Sequence, residues 1–262
     1  MIYNYHTHTH RCGHAFGTEE EYIVRAIENG IKFMGFSDHI PLRFLDGVES
    51  DFRVPVSEGK IYCEEIKMLR EKFKDKIEIS VGFEMEYYPE YFDETLKNAI
   101  DYGAEYLILG QHYLRPENTN TNHTIAETNS VEDLKNYVES LVSAMNKKVY
   151  SYIAHPDMLN FTGDLRVYQK EMRKLCVASR ELNVPLEINF QGIRLNRNYP
   201  NDAFWQVVGE EKSPVTFGKD AHDVASAFDE TSLDKAKKIV KKYNLNYIGA
   251  PELILIQDFK ND

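Results

Sequence analysis

Short apolar runs rich in β-branched and aromatic residues alternate with charged, periodic segments along the whole chain, and this alternation limits the fold more than any other feature. The runs fall at 2–5, 33–36, 77–83, 106–109, 150–154, 185–190, 215–218, 247–249 and 253–256, and read as strands. The segments between them, at 18–29, 56–74, 91–102, 131–147, 167–182 and 233–243, read as helices. Helix starts are marked by Thr18 with Glu21 at capping-box spacing, by Ser130 with Asp133, and by Ser232 with Asp234. Strand–helix alternation favours a parallel sheet with crossover helices, either open or closed into a barrel. The glycine-rich phosphate loops of common nucleotide-binding open sheets are missing after the first strand. No linker-like stretch divides the chain, so one domain over 1–262 is expected, with the polar excursions 41–55 and 115–130 overhanging one end of the strands.

Metal-competent residues appear where the apolar runs end. The first gives His6 and His8, the second Ser37, Asp38 and His39, the third Glu84 and Glu86, and the fourth Gln111 and His112. His155 and Asp157 follow the fifth, Glu187, Asn189, Gln191 and Arg194 lie in or after the sixth, and Asp220 and His222 follow the seventh. In a parallel barrel these ends share one face, so residues far apart in sequence converge there. His6-x-His8 has the period of a strand, which turns both rings to one side. Seven of the nine histidines, His6, His8, His14, His39, His112, His155 and His222, lie at or just past such ends together with Glu84 and Asp220, and the collective pattern predicts a metal site. His10 lies further into the first loop, open to several roles, and His123 reads as a surface residue of a polar loop. Cys12 reads as small buried packing, with a thiolate ligand the alternative.

Several motifs, in order, resemble those of the PHP (polymerase and histidinol phosphatase) superfamily, in particular its histidinol-phosphatase branch. They are the opening from Tyr5 to His14, Ser37-Asp38-His39, Gly82-Phe83-Glu84, Gly110-Gln111-His112, Ala154-His155-Pro156-Asp157, and Gly218-Lys219-Asp220-Ala221-His222. The resemblance covers almost the whole chain. It implies a distorted (β/α)7 TIM-like barrel holding up to three divalent metal ions, with His6, His8, His14, His39, Glu84, His112, His155, Asp220 and His222 as ligands. Imidazole and carboxylate donors suit Zn, Fe or Mn, and a glutamate can bridge two ions. Arg194 resembles the arginine that the phosphatase branch uses for phosphate, with Arg197 as the fallback. The chain departs from that branch after His155, where 156–162 hold no arginine and Arg166 is the nearest.

Clustered divalent ions activate water as a hydroxide aimed at phosphorus and neutralise the phosphoryl oxygens. The reaction implied is hydrolysis of a phosphate monoester, with L-histidinol phosphate in histidine biosynthesis as the substrate and a phosphotyrosine protein or another small phosphate as alternatives. Asp220, His222 and Asp38 are the candidates for protonating the leaving alkoxide. A phosphodiesterase or exonuclease role is disfavoured, because 42 acidic against 31 basic residues give a net charge of −11 that repels a nucleic-acid backbone. A barrel that binds metal without catalysis is the remaining class. Cys12, Cys63 and Cys176 form neither a disulfide framework nor a cysteine-only zinc site. The opening MIYNYHTHTH lacks a signal-peptide pattern, and no apolar stretch nears the roughly 18 residues of a membrane helix, which predicts a cytoplasmic protein with no membrane partner.

Overall fold

The structure is a computed structural model that describes residues 1–119 and 121–261. Eight strands pair in chain order, every pairing parallel: β1 (Tyr3–Asn4), β2 (Phe33–His39), β3 (Glu78–Met85), β4 (Tyr106–Leu109), β5 (Tyr150–Ile153), β6 (Leu186–Asn189), β7 (Pro214–Gly218) and β8 (Asn246–Tyr247). The helices are α1 (Glu19–Glu28), α2 (Gly59–Phe73), α3 (Phe92–Tyr102), α4 (Val131–Met145), α5 (Leu165–Leu182), α6 (Phe190–Arg194), α7 (Asp202–Glu211) and α8 (Glu230–Tyr243). Strands β4 to β7 are buried along their whole length: β4 is a continuous apolar run, whereas β6 alternates Leu and Ile with the buried polar Glu187 and Asn189, which hydrogen-bond each other.

The sheet curls until β1 meets β7. Past the ends of both strands, Thr7 and Ala221 form a parallel bridge, with the His8 amide donating to the Ala221 carbonyl at 3.0 Å. At the other end a side chain spans the seam: the Tyr3 hydroxyl lies 2.9 Å from Thr216 Oγ1 and accepts from the Phe217 amide at 3.2 Å. The tight end of the seam is therefore the end that carries the histidines.

Helix starts follow local chemistry. Thr18 and Glu21 close the expected capping box, and Ser130 accepts from the Asp133 amide at 3.1 Å. At α8 the expectation fails by a turn, because Asp229 is the cap and accepts from the Ser232 amide at 2.9 Å. Ser232 thus lies inside the first turn. The run at 253–256 forms no strand; Ile256 instead buries itself and donates to the Glu105 carbonyl at 2.9 Å. The run at 247–249 appears as the short strand β8 on β7, one strand more than the (β/α)7 barrel that the resemblance implied. Helices α6 and α7, absent from the sequence reading, start on Asn189 and Asn201, whose side chains accept helix amides.

Candidate metal centre

At the C-terminal end of the strands, Glu84 and Asp220 are surrounded by imidazoles. Glu84 Oε1 lies 2.8 Å from His155 Nε2 and 3.5 Å from His112 Nε2, while Oε2 lies 3.2 Å from His39 Nδ1, 3.5 Å from His8 Nε2 and 3.6 Å from His6 Nε2. Asp220 Oδ1 lies 3.3 Å from His8 Nε2, 3.6 Å from His6 Nε2 and 3.2 Å from His222 Nδ1. His14 and His222 complete the rim, their Nε2 atoms 3.1 Å apart. The nine residues expected from sequence come together here.

Local backbone choices make this approach possible. A Cβ at position 110 would collide with the Glu84 carboxylate, and one at 218 with the Glu187 carboxylate, so glycine at both positions leaves the two acids their space. His155 and Asp220 sit at φ of 31° and 47°, a conformation costly for residues with side chains and concentrated at functional sites.

Three of the buried rings are oriented from behind by acids. His6 Nδ1 meets Glu187 at 2.9 Å, His8 Nδ1 meets Asp38 at 3.2 Å, and His112 Nδ1 meets Glu86 at 2.6 Å. Each pairing holds the proton on Nδ1 and leaves Nε2 free toward the centre. Burial opposes charge on His6, but Glu187, Asp220 and Glu84 outweigh it and raise its pKa to about 10. Burial likewise resists ionisation of Glu84, yet His112 and His6 hold its carboxyl well below the usual range. His39 is pushed well below the usual histidine range by burial and by His8.

The decisive property is what these atoms lack. His6 Nε2, His8 Nε2, His39 Nδ1, both Glu84 oxygens, both His155 nitrogens and Asp220 Oδ1 are buried with no hydrogen-bond partner among the described residues. Polar atoms left this way destabilise the fold by about 1–3 kcal/mol each unless something else binds them. Nitrogen and oxygen donors converging without partners fit divalent cations. Sets able to hold an ion include His6-His8-Glu84, His6-His155-Asp220 and His14-His39-His222.

The centre forms the floor of a cavity of about 440 Å³ whose walls include Asp51, Phe52, Tyr113, His123, Gln191 and Arg197. Here the placement of several candidates departs from expectation. Arg194 is outside this cavity: its Nη2 donates to the Asp220 carbonyl at 2.8 Å, its Nη1 lies 3.4 Å from Asp229, and it lines a neighbouring hollow. Arg197, the fallback, is on the wall. Asp38 is enclosed behind His8, accepting also from the amides of Thr9 at 3.0 Å and His39 at 2.8 Å, so it orients and does not face the cavity. His123 is half-buried on the wall rather than on the surface, and His10 is exposed beside Glu19. Cys12 is fully buried, its thiol donating to the Thr9 carbonyl at 3.1 Å, and it joins His8 and His222 in a further set able to hold an ion.

Sequence reasoning saw Glu86 and Glu187 only as strand-end acids, and their orienting role needed the structure. It missed Arg53, which is buried, donates to Glu86 at 2.7 Å and to Glu117 at 2.6 Å, and so ties both excursions to the acid behind His112. An arginine amid the charges of a polar loop carries no signal that it will be buried.

A model of the PHP domain matches residues 4–191. The chain belongs to the PHP domain family. Among curated PHP relatives, a probable histidinol-phosphatase of Deinococcus radiodurans is 28% identical over 229 residues, covering 83% of this chain and 85% of the relative. A histidinol-phosphatase of Bacillus subtilis is 26% identical over 258 residues, covering 86% and 96%. The fold is similar to that of a histidinol phosphate phosphatase from Lactococcus lactis, solved with Zn, L-histidinol and phosphate, at a TM-score of 0.70 and 20% identity over 98% of this chain and 97% of the other. This PHP chain has no helix among its described residues long and apolar enough to cross a membrane.

Proposed function

We propose that this PHP protein is a metal-dependent phosphomonoesterase that hydrolyses L-histidinol phosphate to L-histidinol and phosphate, a step of histidine biosynthesis in the cytoplasm. The observation that carries the reading is the convergence of buried, unpartnered imidazole and carboxylate atoms on the floor of a cavity with Arg197 on its wall. The names of the relatives from D. radiodurans and B. subtilis support the substrate. His6, His8, His14, His39, Glu84, His112, His155, Asp220 and His222 would hold up to three divalent ions, Zn, Fe or Mn, within a single domain spanning 1–262. Ions bound there would acidify water and neutralise charge on the phosphoryl oxygens.

The chain's own groups supply the rest. Asp38, Glu86 and Glu187 keep three imidazoles aimed inward. Arg197 offers a planar guanidinium to the phosphoryl oxygens, its Nη1 steadied by the Tyr199 hydroxyl at 3.0 Å. Of the three candidates for protonating the leaving alkoxide, Asp220 and His222, 3.2 Å apart, line the cavity, which supports that role for them. Asp38 drops out of that role because its oxygens are occupied behind His8. Phe52 and Tyr113 on the wall give an imidazole-bearing alcohol an aromatic surface to pack against.

Phosphate release from L-histidinol phosphate by metal-replete protein tests the proposal, with kcat/KM of about 10⁴ M⁻¹s⁻¹ or more expected of an enzyme on its own substrate. Negligible release would overturn the substrate and direct the search to other phosphate monoesters.

A further inference from the structure

His123 is a polar wall group that the proposed function does not use, and its setting is more ordered than its Asn- and Thr-rich surroundings suggest. The loop that carries it is zipped back onto the end of β4. The Thr124 amide donates to the His112 carbonyl at 2.8 Å, the Thr124 hydroxyl donates to the same carbonyl at 2.9 Å, and Tyr113 and His123 form an antiparallel bridge. The ring packs edge-on to Tyr113 at 4.9 Å and lies 5.8 Å from the ring of His112, while the side chain lines the same cavity as Arg197.

The Ile125 amide donates to His123 Nδ1 at 3.1 Å. A main-chain N–H can only donate, so Nδ1 carries its lone pair and the ring's one proton is on Nε2, at the opposite edge. This is the reverse of His6, His8 and His112, whose Nδ1 atoms face carboxylates; the Nε2 atoms of His6 and His8 are buried without a hydrogen-bond partner, and that of His112 lies 3.5 Å from Glu84. The Nδ1 lone pair of His123 is already taken by a main-chain amide, which leaves the ring an N–H at Nε2 to offer.

We infer that His123 is a substrate-binding residue whose Nε2–H donates a hydrogen bond to a phosphoryl oxygen, working with Arg197. The inference rests on the phosphomonoesterase reading and deepens it. Arg197 supplies charge, and His123 supplies a neutral donor that would not repel ions bound on the floor.

The test compares wild-type protein with His123→Phe, His123→Gln and His123→Asn, all metal-loaded. It measures kcat/KM on L-histidinol phosphate, the inhibition constant of inorganic phosphate, and metal content. Phe keeps the ring against Tyr113 without the N–H. It should weaken phosphate inhibition and lower kcat/KM by about tenfold to a hundredfold, the range for a hydrogen bond to a charged group. Gln can place an amide nitrogen near the Nε2 position and should recover to within about threefold, whereas the shorter Asn should not. Metal content should be unchanged throughout. Unaltered phosphate inhibition and kcat/KM in the Phe variant would overturn the inference while leaving the enzyme reading intact, and so would loss of metal. If the Phe variant fails to fold, equal Gln and Asn variants would overturn it instead. No turnover and no phosphate binding by wild-type protein would remove the reading and this inference together.

Discussion

The two halves of the histidine cluster are built differently. On the inner half His6, His8 and His112 are buried, and each has a carboxylate behind its Nδ1. On the rim His14 is exposed and takes its own loop's Cys12 carbonyl at 2.8 Å, while His222 meets the Gln191 amide at 2.8 Å. The difference teaches where orientation has to be supplied. Inside, water cannot compensate a misplaced ring, so each ring has its own carboxylate behind it; at the rim a main-chain carbonyl turns His14, and His222 is held by the neutral Gln191 amide beside the Asp220 carboxylate it shares with the centre.

The largest break in this comparison should come from Glu84→Ala, which removes the acid shared by five imidazoles. Turnover should fall by about 10³-fold or more, and metal content by elemental mass spectrometry should drop, with circular dichroism close to wild type. Next, Arg53→Met leaves Glu86 buried beside an apolar chain. Breaking a buried pair in this way should cost about 3–5 kcal/mol, read as a lowered midpoint in urea. Behind the inner rings, Glu187→Gln keeps an acceptor but loses the charge. Chelator competition should show metal bound about 10–100-fold more weakly. On the wall, Arg197→Ala should raise KM about tenfold or more, whereas Arg194→Ala should change KM less and kcat more, because it holds the Asp220 carbonyl rather than the cavity. The smallest effect should follow Gln191→Ala behind His222, within about threefold in metal affinity, since a neutral partner at a wet rim is replaceable by water. A Gln191→Ala loss as large as that of Glu187→Gln would erase the distinction between the halves.

Much of this was legible in the chain. Four-residue apolar runs such as 106–109 became strands because they pack on both faces, and the polar residue that ends each run marks where the strand leaves the core. The expected ligand positions were readable because one strand direction puts every such end on one face. Arg194 and Arg197 show the limit. They lie three residues apart at the end of a five-residue helix and after it, and no local pattern says which side chain enters the cavity. His123 misled for a related reason: a polar loop tip reads as surface unless its backbone pairing back to the preceding strand end is known.

The sequence by itself therefore determined the alternation, the parallel sheet and the placing of histidines and acids at strand ends, because periodicity and residue type are local properties, whereas closure into a barrel was implied only by the family resemblance. Only the tertiary structure decided which acids aim which rings, which arginine meets the cavity, and that His123 faces inward. Those choices depend on distances between segments as far apart as His6 and Glu187, which are 181 positions apart yet in hydrogen-bond contact. Contacts of that kind exist only once the sheet has curled and its seam has closed.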